Sequence, residues 1–225
     1  MYFDPLWIAL MVVSTLLGLV TQRYIKSSFR KWSNVGVSSG MTGAQIARSI
    51  LDANGLQDVA IQQVPGDLSD HYDPRSKTLG LSSAVYSVAS VAAAGVAAHE
   101  AGHAVQDARG YVWGNIRTAM VPAVNIGSSA AWILIMGGFI FQFTGLIWLG
   151  IVFYAAAVAF QIVTLPVEFD ASRRALVNLE GTGAVDAGQL SGARQVLTAA
   201  ALTYVAAALI AALQLLYYIG LARRD

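Results

Sequence analysis

Cysteine is absent from this 225-residue chain, which excludes disulfides and thiolate ligands, so any bound metal must be held by nitrogen and oxygen. Charge is scarce as well. Asp, Glu, Lys and Arg make up 12% of the residues, against about one-quarter in a soluble domain. The net charge of +1 offers no polyanion-binding surface, and no nucleic-acid partner is expected. Histidine occurs only as His71, His99 and His103, and glutamate only as Glu100, Glu168 and Glu180. What the chain has in excess is apolar surface, with 56% hydrophobic residues and a mean hydropathy of +0.57. That balance predicts one compact domain whose main partner is the lipid bilayer.

Four apolar runs approach the ~20 residues needed to cross hydrocarbon: residues 6–20, extendable to 24, then 119–141, 146–165 and 196–219. The first reads as a retained anchor and not a signal peptide, because Asp4 precedes it, no basic residue does, and no small-residue cleavage site follows. The second and third are joined by Gln142-Phe143-Thr144-Gly145, which forces an antiparallel hairpin. Residues 85–98 are also apolar, but alanine-rich and interrupted by Ser87 and Ser90, so a buried helix is expected there instead of a span. Arg23, Lys26, Arg30 and Lys31 follow the first run, Arg109 and Arg117 precede the second, and Arg173, Arg174 and Arg194 lie between the third and fourth. With four spans these residues share one side, which positive-charge retention makes cytoplasmic. Arg223 and Arg224 disagree with that orientation.

The segment 99–103 reads His-Glu-Ala-Gly-His. Histidines four apart on a helix are separated by about 40° of arc and can reach one zinc ion, while Glu100 points about 100° from His99, towards a water on that metal. A catalytic zinc usually has three protein ligands and one open position. Glu168, His71 and Asp107 are the candidates for the third. Upstream, Thr42 is expected to cap a helix from Gly43 to Ala53 that stops at Asn54-Gly55, after a flexible connector at 33–40. Residues 59–64 and 77–81 read as strands, and 70–75 as a polar loop between them. Ser82 or Ser83 is expected to cap the histidine-bearing helix. Pro166 is expected to start a new helix carrying Glu168. The strand beside the motif helix would offer an edge to an extended peptide, or simply complete a small sheet.

The chain resembles the YugP-like family of neutral zinc metallopeptidases of bacterial membranes. The resemblance rests on Thr42-Gly43, on the loop Asp70-His71-Tyr72-Asp73-Pro74-Arg75, on 97–106 around the two histidines, and on Glu168-Phe169-Asp170-Ala171-Ser172-Arg173-Arg174-Ala175. More distantly it is similar to glutamate-type zincins such as the CAAX prenyl proteases. That resemblance implies Zn2+ as cofactor with His99, His103 and Glu168 as ligands. It departs from the distant relatives at Ser172, where they carry a second carboxylate, which leaves open whether Asp170 or nothing orients the first histidine.

The expected protein is therefore mainly α, with about four transmembrane helices and a small α+β zincin-like catalytic segment between the first and second. Its parts are an anchor (1–25), a cytoplasmic catalytic segment (26–117), a transmembrane hairpin (118–166), a third-ligand helix with its connection (167–195) and a last span (196–225). The expected activity is endopeptidase hydrolysis at the cytoplasmic face of the bacterial inner membrane, with Glu100 as general base. His71, Tyr72 and Arg173 are candidates for stabilising the oxyanion. Peptides or membrane proteins are the expected substrates. Small residues at 127–131 and 206–212 permit close helix packing within a protomer or in a homo-oligomer. The alternatives are an intramembrane zinc protease cutting transmembrane substrates, and a scaffold with a structural zinc site in which His71 is a fourth ligand.

Overall fold

The computed structural model describes residues 4–66 and 68–223; Arg224, half of the dissenting basic pair, lies outside them. Among the described residues, four helices are long and apolar enough to cross a membrane: α1 (Pro5–Ser33), α5 (Val112–Ile140), α6 (Thr144–Thr182) and α7 (Ala187–Ala222). Between α1 and α5 in chain order come α2 (Gly43–Ala53), β1 (Ala60–Val64), β2 (His71–Asp73), β3 (Thr78–Ser82), α3 (Ser83–Tyr86) and α4 (Val91–Ala108).

Asp4 caps α1 by accepting from the Leu6 N–H, with Pro5 in the first turn. At 29 residues the helix is about 44 Å long, beyond the ~30 Å of a hydrocarbon core, so its basic end projects past the apolar run. The connector that follows is tied to α4 and α7 by hydrogen bonds. Val37 donates to the Ala89 carbonyl, Val91 donates to Val35, and Gln189 bonds both the Gly36 carbonyl and the Ser38 N–H. Backbone lying against the buried start of α4 must have its polar groups satisfied, and these cross-links do so.

Helix α2 has the expected bounds, fixed by a reciprocal Thr42–Gln45 capping box. The sheet order is β1-β3-β2, with β1 parallel and β2 antiparallel to β3. Residues 71–73, expected as loop, thus form an edge strand. The strand at 78–82 is central, so the edges belong to β1 and β2, and it is β2 that borders the cavity beside α4. The serine assignment also changes. Ser82 turns its hydroxyl to Asp70 and precedes only the short α3, whereas Ser90 caps α4 by accepting from Ala93. As expected for residues 85–98, α4 is not among the candidate spans. Its faces are covered by α2, α6, α7 and the sheet, and thirteen of its residues are buried, as its alanine- and valine-rich first half requires.

Helix α5 turns back into α6 through residues 141–143. A Cβ on Gly138 would lie 2.8 Å from the Ile147 nitrogen, and one on Gly150 2.9 Å from the Ala131 carbonyl. The small residues of α5 thus serve a close contact within the chain. Pro166 does not begin a helix: α6 runs through it. Its missing N–H forfeits the bond to the Ile162 carbonyl, but Thr164, Val167, Glu168 and Ala171 are buried on both sides of it and hold the axis. Gly183, in the left-handed region, ends α6, and an Asp186–Gln189 capping box starts α7.

Candidate metal centre

Helices α4 and α6 build the site together. On α4, His99 and His103 present rings 4.7 Å apart at 86°, so two different edges converge on one point. Glycine between them permits the approach of α6, since a Cβ on Gly102 would fall 2.8 Å from the Ala171 carbonyl. One turn before Ala171, Glu168 extends Oε2 to within 3.2 Å of His99 Nε2 and 3.7 Å of His103 Nε2. The nearest donor atoms of the three residues all lie within 4.8 Å of one another.

This donor set fits zinc. Tetrahedral ligands about 2.0–2.1 Å from the ion stand about 3.3 Å from each other, close to the two distances found. Both imidazoles are held by a contact at Nδ1, and His103 is also fixed in the required tautomer. Gln106 spends its amide N–H groups on the Val167 carbonyl and Asp170 Oδ2, each at 2.9 Å. Its oxygen must then accept from His103 Nδ1, 2.9 Å away, which leaves a lone pair on Nε2. Ser172 Oγ lies 3.2 Å from His99 Nδ1 and orients the first ring, but a hydroxyl both donates and accepts and so does not set its tautomer. Such outer contacts orient metal-binding imidazoles and raise their basicity. Ser172 thus contacts the first histidine, while Asp170 acts through Gln106 on the other ring.

Arg117 of α5 brings Nη1 to 3.5 Å from Glu168 Oε1, holding the oxygen that faces away from the histidines. Glu100 is 8% exposed, borders the same cavity, and has no side-chain hydrogen bond to a described residue. With neutral imidazoles, Glu100, Glu168 and Arg117 leave one uncompensated negative charge, an environment suited to a cation.

A cavity of about 500 Å³ joins these groups to β2. His71 and Tyr72 both line it. His71 Nδ1 donates to the Ser69 carbonyl at 2.8 Å, so the neutral ring keeps a lone pair on its other nitrogen and would donate from it only as imidazolium. Tyr72 donates to Asp107 Oδ2 at 2.9 Å; burial first, then that carboxylate, pushes its phenol above the ordinary range. Asp107, the weaker candidate ligand, is thus engaged with Tyr72. Arg173 is not brought to the cavity. Its side chain is 72% exposed and pairs with Asp170. Sequence reasoning missed Gln106, Arg117 and Tyr204, which line the cavity. The only advance signal for Arg117 was its charge at the mouth of a span.

Residues 7–223 match the family described as "Putative neutral zinc metallopeptidase", and the chain belongs to that family. It is 45% identical over 214 residues, 95% of each chain, to the "Putative membrane protease YugP" of Bacillus subtilis (strain 168). No solved structure matches it. With four long apolar helices and this relative, the chain is a multi-pass membrane protein.

Proposed function

We propose that this protein is a zinc-dependent endopeptidase working at the cytoplasmic face of the bacterial inner membrane, with His99, His103 and Glu168 as ligands. The observation that carries this reading is the convergence of those donors within 4.8 Å beside a carboxylate, Glu100, free of hydrogen bonds to described residues. A zinc ion held there supplies Lewis-acid polarisation of the scissile carbonyl and a water acidic enough to deprotonate near neutrality. Glu100 takes the proton from the attacking water and delivers it to the leaving amine as the C–N bond breaks. Its lack of a competing hydrogen bond keeps both oxygens free for that traffic. Glu168 contributes one oxygen to the ligand set because Arg117 holds the other.

The free edge of β2 binds the substrate backbone in extended form. Charge developing on the carbonyl oxygen needs a donor besides the metal. Arg117 lines the cavity with N–H groups to spare beyond its contact with Glu168, whereas the single O–H of Tyr72 is donated to Asp107, His71 donates only when protonated, and Arg173 is committed to Asp170. The catalytic segment, residues 26–117, sits between the first and second spans. The basic residues late in α1, early in α5 and beyond the apolar run of α6 support a cytoplasmic location for it.

Glu100→Gln tests the reading. The variant should keep its zinc and lose peptide hydrolysis by about 10²–10⁴-fold, measured on metal-loaded protein with a quenched fluorescent peptide. Full activity in that variant would refute the general-base role.

A further inference from the structure

The cavity does not end at the candidate metal centre. It continues along α5, where Gly114, Thr118, Val121 and Asn125 line it at spacings of four, three and four residues, with Asn115 at their side. These positions share one face of the helix. Farther along α5 the buried face is different in character: Gly127, Ala131, Ile135 and Gly138 pack against α6. The first part of the helix thus leaves its neighbours and borders an open groove.

The groove is polar on a helix apolar enough to span a membrane. Asn115, Thr118 and Asn125 are exposed, and none of their side chains bonds another described residue. Pro122 lies inside the helix, so the Thr118 carbonyl lacks its usual helical partner. An unpaired polar group in hydrocarbon costs several kcal/mol, so Asn125, within the apolar run, requires a partner there, while Thr118 and Asn115 continue the polar face to the water side. From Gly114 to Asn125 the row rises about 16 Å, and taking the apolar run from 119, Asn125 stands about 9 Å inside it while Asn115 lies outside.

We infer that this groove holds an unwound, extended stretch of substrate polypeptide at the point where it enters the bilayer, so that the substrates are membrane proteins cut close to a transmembrane segment. The inference rests on the peptidase reading. An intact helix satisfies its own backbone and needs nothing from α5. An extended segment exposes N–H and C=O groups in alternation, and asparagine amides supply both a donor and an acceptor. The groove is continuous with the β2 edge through a single cavity, so one chain can be held on the water side by β2 and on the lipid side by α5. About five extended residues cover the α5 portion, at ~3.3 Å each.

Two readouts test this in full-length protein reconstituted in phosphatidylethanolamine–phosphatidylglycerol vesicles. The first compares kcat/KM for a model substrate with one transmembrane helix and a flexible flank against that for a short water-soluble peptide. Asn125→Leu should lower the ratio at least tenfold and Asn125→Gln should restore it. An unchanged ratio, or equal losses on both substrates, overturns the inference. The second places a photo-crosslinking residue at 125 in the Glu100→Gln background. Capture of the membrane substrate, competed by unlabelled substrate, supports the groove assignment, and capture of lipid alone overturns it. Capture without any hydrolysis by the wild type would sink the peptidase reading while leaving the groove's occupant as assigned.

Discussion

Gln106 is a small residue-scale device with a large effect on the site. Its amide is fully committed, with two acceptors on α6 and one imidazole on α4, so a single side chain ties ring tautomer to helix position. Gln106→Leu should fold, since Arg173 and Arg174 still pair with Asp170, yet bind zinc about 10–100-fold more weakly. A competition titration with a chromogenic chelator measures this, and wild-type affinity would refute the orienting role. Gln106 was not legible in the sequence, because its partners Val167 and Asp170 lie more than sixty positions away. The histidine pair was legible because one helix turn encodes its geometry. Glu168 emerged from family resemblance, since nothing in local spacing distinguishes it from His71 or Asp107.

At the scale of elements, the contact between α4 and α6 determines whether the ligands meet. Gly102→Ala would put a methyl group against the Ala171 carbonyl and should cost about 1–3 kcal/mol of stability, while also pushing Glu168 from the histidines and weakening zinc binding. Gly181→Ala on α6, with nothing near its Cβ, is the control and should be neutral or slightly stabilising. Thermal unfolding with and without chelator separates the two. Equal behaviour would show that the glycine is not needed for close approach. Local chemistry explains which elements could be read in advance. The bounds of α2 are written in Thr42, Gln45 and Asn54-Gly55. Strand β2 has three residues among Asp and Pro, and only its pairing with β3 makes it a strand. Four serines between 82 and 90 could each have capped α4; the strap at 35–37, distant in sequence, selects Ser90. The continuity of α6 through Pro166 likewise comes from packing that no local signal records.

For the whole molecule, the long helices exceed a bilayer's hydrocarbon thickness, and α5 and α6 bring Arg117 and Glu168 to the histidines of α4. At 39 residues, α6 is about 58 Å long, so Glu168 can stand beyond the apolar run while its helix stays anchored in lipid. The absence of native cysteine makes the orientation directly testable. In inverted versus right-side-out vesicles, Ser76→Cys beside β3 should react with a charged maleimide only from the cytoplasmic side. Gln142→Cys at the hairpin tip should react only from the opposite side. Labelling of both from one side would break the topology of four spans.

The central claim is the ligand set, and zinc-edge X-ray absorption of the purified protein tests it most directly. The account predicts about one zinc per chain in a nitrogen and oxygen shell at about 2.0–2.1 Å, with two imidazoles, and loss of that shell in Glu168→Ala. Full zinc occupancy with an unaltered shell in Glu168→Ala would contradict it.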